Sequence, residues 1–231
     1  MTAPSVTTGV PPLEHGQRLS RAEFERRYDA MPGLKGAELI DGVVYMPSPV
    51  RFEHHSGPQG DAITWLGVYR AGTPGVLGGA EATVRLEGDN DPQPDAVLFI
   101  DPACGGAAVI SADDYIERSP ELLVEVGASS EDFDVGPKLA LYERNGIREY
   151  LVYRVRTGAV DWHILRGGRY ELLVPDAAGV LRSETFPGLW LDAAALLRRD
   201  MAAVLRTLQT GLADPAHAAF VARLQAARGA P

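Results

Sequence analysis

The sequence predicts an α/β fold, with a mixed β-sheet flanked by helices and a helical C-terminal extension. Two short, continuously apolar runs, 97–100 and 122–126, are typical of strands that are buried on both faces of a sheet. A helical pattern and a further strand follow the second run, and a parallel strand pair needs a crossover of this kind. Two more helical segments close the chain.

Local signals predict the individual elements in order. Ser20 and Glu23 form a capping-box pattern ahead of the first helix. Asp41-Gly42 between two apolar runs is a hairpin signal, and Gly146 is a left-handed cap that ends the crossover helix. The predicted helices span 21–28, 60–70, 134–145, 193–208 and 217–227, and the predicted strands span 38–40, 43–46, 81–87, 97–100, 122–126, 149–153, 160–165 and 170–174.

Composition describes a globular chain with one substantial core. The 231 residues are 45% hydrophobic and 23% charged, and no apolar run approaches the roughly 20 residues of a membrane-spanning helix. The single Cys104 excludes a disulfide framework and agrees with a reducing cytoplasm, where we expect the protein. A net charge of −9 argues against a general DNA-coating protein. A local basic groove is compatible with it, because salt screens distant charges.

Three regions are predicted along the chain. Residues 1–16 lack the basic segment and the hydrophobic core of a secretory signal, and we expect a disordered arm. Residues 17–192 form one folded domain, and residues 193–231 form the helical extension. The extension carries an apolar stripe that usually packs on its own domain, and a homodimer through it is the alternative.

Lysine is rare in this chain, which has two lysines and twenty arginines. The composition favours arginine wherever the two residues are interchangeable, so a lysine is a candidate for a role that needs a compact ammonium. Lys138 follows the second apolar run, whereas Lys35 lies in a glycine-rich stretch that is typical of a loop. Rarity alone is therefore weak evidence for a role.

Two acids accompany Lys138 in a pattern that suits phosphodiester hydrolysis. Asp95 stands at the entrance to the first apolar run, and Glu125 lies inside the second. Carboxylates at the ends of neighbouring strands can hold Mg²⁺ or Mn²⁺, which also keep waters and bind the substrate. The Lys138 ammonium could orient a water molecule or stabilise a charged transition state.

The crossover helix offers a route for Lys138 into this site. We predict Asp134 as the N-cap, which places Pro137 in the first turn and Lys138 in the second. Asp134, Lys138 and Tyr142 are spaced i, i+4 and i+8, so they share one side of the helix. If that side faces the strand ends, Lys138 can reach between the two acids.

Each of these residues also has a plainer interpretation. Asp95 follows a proline and could be only a turn residue, and Glu125 could lie at a strand end on the open side of the sheet. Lys138 could pair with Asp134 on the helix surface. The residues themselves leave these alternatives open, although a lone buried carboxylate at Glu125 would be costly without a partner.

Other chemistry-bearing patterns are absent from the sequence. His54 and His55 are candidates for bases or zinc ligands, but no His-Glu-x-x-His pattern and no cysteine cluster accompanies them. There is no phosphate-binding loop and no Gly-x-Ser-x-Gly pattern. A zinc site is therefore not favoured, and a surface or capping role is favoured for His54.

An ordered set of short motifs adds a family resemblance. The motifs are Glu38-Leu39-Ile40-Asp41-Gly42, Ser48-Pro49, His54, Pro94-Asp95, Val124-Glu125-Val126, Phe133-Asp134-x-Gly136-x-Lys138, Tyr142 and Gly146-Ile147-x-Glu149-Tyr150. Over residues 18–165 the chain resembles the Uma-type putative restriction endonuclease family, which is assigned to the PD-(D/E)XK nuclease superfamily. The resemblance implies a restriction-endonuclease-like fold for 17–192 and DNA as the substrate.

The resemblance also implies site roles. It makes Asp95 and Glu125 the metal ligands, Lys138 the catalytic lysine and Glu38 an additional acidic ligand. The superfamily's lysine usually lies two residues after the second acid, where this chain has Gly127, so the role passes to Lys138. The loop over 127–130 is also one residue shorter than usual.

Two functions follow as expectations. The first is a divalent-metal-dependent endonuclease that hydrolyses DNA. The alternative is a catalytically inactive binding or regulatory module on the same fold, which the net charge of −9 and the altered loop favour.

Overall fold

A six-stranded mixed sheet forms the centre of the computed structural model, which describes residues 9–127 and 130–229. In spatial order the strands are β11 (Arg169–Leu172), β10 (Ala159–Arg166), β9 (Glu149–Arg154), β8 (Leu122–Gly127), β5 (Ala96–Ile100) and β3 (Val76–Ala80). The pair β8–β9 is parallel and the other pairs are antiparallel. The predicted mixed sheet with a strand–helix–strand crossover is confirmed.

Short strands form smaller sheets around the central one. They pair as β1 (Glu38–Ile40) with β2 (Val43–Tyr45), β4 (Val84–Arg85) with β7 (Ile116–Glu117) and β6 (Val109–Ile110), and β12 (Val180–Arg182) with β13 (Trp190–Asp192). The first pair is the predicted hairpin. Asp41 and Gly42 both have positive φ angles, 52° and 71°, as a tight hairpin turn requires.

Helices cover both faces of the central sheet. They are α1 (Arg21–Asp29), α2 (Gly57–Gly72), α3 (Glu131–Phe133), α4 (Leu139–Arg144), α5 (Ala193–Leu197), α6 (Met201–Leu212) and α7 (Pro215–Arg228). Two π-helical turns, Phe52–Ser56 and Asp134–Lys138, precede α2 and α4, and Pro102–Cys104 forms a 3₁₀ turn. No helix within the described residues is long and apolar enough to span a membrane.

Alternating side chains of β8 divide the core into two layers. Leu122 and Val124 point to the layer that contains Trp65 of α2 and the C-terminal helices. Leu123 points to the opposite layer, where Leu141 of α4 is buried. Residues of α6 are buried in the first layer, and α6 packs against α2 and β13, so the apolar stripe of the extension packs on the rest of the chain.

The predicted division into residues 1–16, 17–192 and 193–231 stays a prediction. One contact within the predicted arm bears on it. Residues 1–8 of the predicted arm lie outside the described residues, as do residues 230 and 231 of the extension. Leu13, within the predicted arm, is buried and packs with Phe24 and Met31. This contact ties the later part of the arm to α1.

The strand predictions were wrong over 81–87 and omitted β3 and the short strands β6, β7, β12 and β13. The expected strand over 81–87 is reduced to β4, because Glu81 has a φ angle of 53° and does not continue an extended backbone. Strand β3 was missed, since Gly78 and Gly79 have low strand propensity. Glycine is needed at 78, where a Cβ atom would lie 2.6 Å from the Val97 carbonyl oxygen.

Two helix predictions also need correction. Asp134 is not an N-cap, because the helical segment begins earlier, at α3, and Asp134 has helical backbone angles inside it. Pro137 therefore lies within the segment, in a π-helical turn. The expected helix over 193–208 is two helices, because Arg199 has a left-handed φ angle of 59° and Asp200 caps α6.

Candidate active site

Asp95 and Glu125 lie on the same face of adjacent strands. Ala96 pairs with Val124 and Val97 pairs with Leu123, so this antiparallel register, continued by one residue, sets Asp95 opposite Glu125. Residues directly opposite in such a pair have Cβ atoms roughly 5 Å apart. The sheet itself therefore brings together two acids that are distant in the sequence.

Glu125 is buried beneath the crossover helix, which supplies two donors. The Lys138 ammonium and the Tyr142 hydroxyl each lie 2.9 Å from Glu125 Oε1. Lys138 and Tyr142 are one helical turn apart, so both reach the same carboxylate from one side of the helix. The prediction that Lys138 and Tyr142 share one side of the helix is confirmed.

Glu38 completes the surroundings of Lys138 from the β1–β2 hairpin. Its Oε1 lies 2.8 Å from Lys138 Nζ and accepts a 2.6 Å hydrogen bond from the Gln93 backbone N–H. Backbone hydrogen bonds between Leu39 and Asp91 attach the hairpin to the chain just ahead of Asp95. Lys138 thus pairs with Glu38 and Glu125, and not with Asp134 on the helix surface.

Asp95 is held by donors on both carboxylate oxygens. Its Oδ2 accepts a 2.6 Å hydrogen bond from the Val126 N–H, and its Oδ1 lies 3.1 Å from His55 Nε2. The His55 Nδ1 lies 2.8 Å from the Val126 carbonyl oxygen. The hydrogen bond to Asp95 raises the pKa of His55 above its ordinary value, against the opposing effect of partial burial.

Gly127 explains why the ammonium comes from the helix. A Cβ atom at Gly127 would lie 2.6 Å from Asp134 Oδ2 and would crowd the backbone of Glu131. A lysine two residues after Glu125 would therefore collide with the start of the helical segment. Residues Ala128 and Ser129 of the following loop lie outside the described residues.

Asp134 is a further buried acid behind the site. Its Oδ2 accepts a 2.8 Å hydrogen bond from the Ser130 hydroxyl. Burial raises the pKa of Asp134 from 3.8 to about 6, although the positive charge of Lys138 opposes the rise. Asp134 contributes negative charge to the site without touching Lys138.

Within the described residues, four carboxyl groups lie near the ammonium of Lys138. Burial raises the pKa of Glu125 well above its ordinary value; the charge of Lys138 opposes this rise, and the neighbouring acids Asp134, Asp95 and Glu38 add to it. Burial opposes the charge on Lys138, but the surrounding carboxylates outweigh it and raise its pKa well above the ordinary value. Lys138 therefore stays charged, and the acid cluster favours an additional cation.

The donor set suits a hard divalent cation. Carboxylate oxygens of Asp95 and Glu125 are the ligands that Mg²⁺ and Mn²⁺ prefer, and one or two such groups suffice when waters and a phosphate complete the shell. Among the described residues, no group of three or more Asp, Glu, His or Cys side chains is already arranged around a cation position. A bound ion would need ligands besides the protein.

The structure brings two further residues, His55 and Tyr142, into contact with the site acids. His55 was named in the sequence only as a candidate base or zinc ligand, and it contacts Asp95. Tyr142 was noted for its helical spacing, without a stated contact to Glu125. The helical period could have indicated Tyr142, whereas no local pattern links His55 to a residue forty positions later.

The mixed sheet, the acids on adjacent strands and the helix lysine define an α/β nuclease-like fold. The chain belongs to the Uma2 family, described as "Putative restriction endonuclease", whose model matches residues 21–194. The chain is also similar to the crystal structure of a putative nuclease belonging to DUF820 from Anabaena variabilis. That match has 17% identity and a TM-score of 0.49, and covers 73% of this chain and 97% of the other. No match was found among curated proteins.

Proposed function

We propose that this protein is a divalent-metal-dependent endonuclease that hydrolyses DNA phosphodiester bonds in the cytoplasm. The observation that carries the proposal is the juxtaposition of Asp95 and Glu125 across two strands, with Lys138 Nζ 2.9 Å from Glu125 Oε1. Membership of the Uma2 family supports the same reaction class. The arrangement corresponds to the PD-(D/E)XK pattern with its lysine displaced onto the helix.

Asp95 and Glu125 would hold Mg²⁺ or Mn²⁺. When bound, such an ion polarises the phosphoryl oxygen and lowers the pKa of a coordinated water molecule. Lys138 and Tyr142 both donate to Glu125 Oε1, so they fix the orientation of this carboxylate. The role of Glu38 as an additional ligand stays a prediction, while its contact with Lys138 supports a part in holding the ammonium.

Lys138 would act on the substrate through its remaining N–H group. An ammonium has three donors, and two of them are directed at Glu38 and Glu125. In this proposal, the third donates to a phosphate oxygen or to the attacking water molecule. Because the surrounding acids keep Lys138 charged, it can stabilise negative charge that develops on the phosphate.

A catalytically inactive binding or regulatory module is the second candidate. The specific observation for it is that Lys138 already bridges Glu38 and Glu125 in the described structure. In an inactive module this ion pair would be the permanent partner of both acids. Titration with Mn²⁺ separates the candidates, because an active site binds the ion and a permanently paired site does not.

Cleavage of supercoiled and single-stranded DNA with Mg²⁺ or Mn²⁺ tests the proposal. We expect cleavage by the wild type, and a loss of about a hundredfold or more for Asp95→Ala and Lys138→Met. Lys35→Met is the matched control, since Lys35 is exposed, and it should cleave like the wild type. Equal cleavage by Asp95→Ala, Lys138→Met and the wild type would contradict the assignment.

A further inference from the structure

We propose that His55 is a positioning residue that orients the Asp95 carboxylate for a divalent cation. The inference rests on the proposed function, because it assigns to Asp95 the role of a metal ligand. It concerns a side chain that the chain's acid–acid–lysine pattern does not include. The support comes from a closed set of contacts among Asp95, His55 and Val126.

The contacts form a ring that includes the N–H and the carbonyl group of one residue of β8, Val126. The Val126 N–H donates to Asp95 Oδ2 over 2.6 Å, Asp95 Oδ1 lies 3.1 Å from His55 Nε2, and His55 Nδ1 lies 2.8 Å from the Val126 carbonyl oxygen. Each member of the ring contacts the other two. The imidazole therefore has its orientation set by the strand that carries Glu125.

Two fixed contacts restrict the rotation of the Asp95 side chain. Each carboxylate oxygen has two lone pairs, and in the ring one contact is made to each oxygen. A lone pair on each oxygen is left for a cation or a water molecule. Without the His55 contact, the Asp95 carboxylate would rotate more freely. A divalent cation would then have to order it on binding, and the cation would bind more weakly.

The backbone that carries His55 is itself unusual. His55 lies in the π-helical turn Phe52–Ser56, which joins directly to α2. Such turns are rare and are frequent at functional sites. His55 is half-buried against Asp95 and Val126, whereas the adjacent His54 is exposed. The two neighbours therefore provide a matched pair in one turn.

Amide side chains can separate the two contacts of the imidazole. The amide nitrogen of glutamine can take the place of Nε2 and donate to Asp95, while that of asparagine can take the place of Nδ1 and reach the Val126 carbonyl. If His55 acts through Asp95, the His55→Gln variant should retain metal binding and the His55→Asn variant should not. If His55 only stabilises the strand through the Val126 carbonyl, His55→Asn should retain metal binding and His55→Gln should not.

Calorimetric titration of the metal-free protein with Mn²⁺ tests this inference without relying on activity. We expect His55→Ala to weaken Mn²⁺ binding by about tenfold, as loss of a carboxylate's supporting partner does in other metal sites. His55→Gln should bind within about threefold of the wild type, His55→Asn should bind as weakly as His55→Ala, and His54→Ala should be unchanged. If His55→Ala fails to fold, the comparison of Gln with Asn decides.

The Asp95→Ala variant distinguishes two kinds of failure. If it loses Mn²⁺ binding while His55→Ala binds as tightly as the wild type, the positioning role of His55 is overturned and the metal site stands. Equal binding by the Gln and Asn variants would also overturn it. If Asp95→Ala binds Mn²⁺ like the wild type, the proposed function fails and the role of His55 fails with it.

Discussion

Glu125 and Glu149 are buried acids on the neighbouring parallel strands β8 and β9, but their surroundings differ in kind. Glu149 is satisfied by neutral donors: the Ser183 hydroxyl, the Trp162 indole N–H and the backbone N–H groups of Glu184 and Thr185. Glu125 instead contacts an ammonium and a phenol hydroxyl, with further acids nearby.

This difference distinguishes a structural acid from a candidate functional one. Burial raises the pKa of both groups, but at Glu149 the fixed donors oppose the rise and tie the turn after β12 to the sheet. At Glu125 the positive charge of Lys138 opposes the rise in pKa, whereas the neighbouring acids Asp134, Asp95 and Glu38 increase it. A buried carboxylate with complete neutral hydrogen bonding is therefore part of the architecture, whereas crowded acids indicate a site.

The largest stability effect is expected at Glu149. Glu149→Ala should lower the free energy of unfolding by about 3 kcal/mol, because it leaves several buried donors without an acceptor. Urea unfolding of the variant and the wild type measures this difference. Glu149→Gln keeps an acceptor oxygen and should lose about half as much. If Glu149→Ala lowered the free energy of unfolding by less than an ordinary surface substitution does, Glu149 would not be a structural acid.

Asp134→Asn should stabilise the protein at high pH and not at low pH. The pKa of Asp134 is raised from 3.8 to about 6, chiefly by burial, so the unfolded chain releases this proton more readily than the folded one. Stability is therefore lost as the pH rises from about 4 to about 6, at a cost of about 2 kcal/mol that is complete above that range.

Unfolding of Asp134→Asn and of the wild type at pH 4 and pH 8 tests whether the variant is stabilised only at the higher pH. The asparagine variant removes the cost, so it should be more stable than the wild type by about 2 kcal/mol at pH 8 and nearly equal at pH 4. Ser130 can still bond to the amide side chain, which keeps the local geometry comparable. An equal change at both pH values would show that the effect is not due to ionisation.

Tyr142→Phe should produce the smallest of these effects. It removes one of the two donors to Glu125 Oε1 but leaves Lys138 in place, so no acceptor is left without a partner. We expect cleavage to fall by about fivefold, equivalent to about 1 kcal/mol, with little change in unfolding. Cleavage rates under matched Mn²⁺ saturation measure it. A loss as large as that of Lys138→Met would mean that Tyr142 acts directly in the reaction.

The sequence was most informative where burial dictates residue type. The continuous apolar runs predicted β5 and β8, and an acid inside the second run indicated Glu125. The spacing along the crossover helix correctly placed Lys138 and Tyr142 on one side. The start of that helix was wrong, because the sequence does not reveal the π-helical turn that accommodates Pro137.

Contacts between distant segments could not be predicted in the same way. Glu125 and Glu149 are alike as acids in apolar strands, and only the fold shows which of them meets neutral donors. The bond from His55 to Asp95 depends on how the turn before α2 packs against the sheet. Strand β3 was missed because it lacks an apolar pattern, and its Gly78 is required by close backbone packing against Val97.

We propose that Asp95 and Glu125 bind a divalent cation, whereas Glu149 stabilises the fold. Calorimetric titration with Mn²⁺ of the wild type, Glu125→Gln and Glu149→Gln tests it most directly. We expect saturable Mn²⁺ binding by the wild type and by Glu149→Gln, and no binding by Glu125→Gln. Unchanged binding by Glu125→Gln, or loss of binding only in Glu149→Gln, would contradict it.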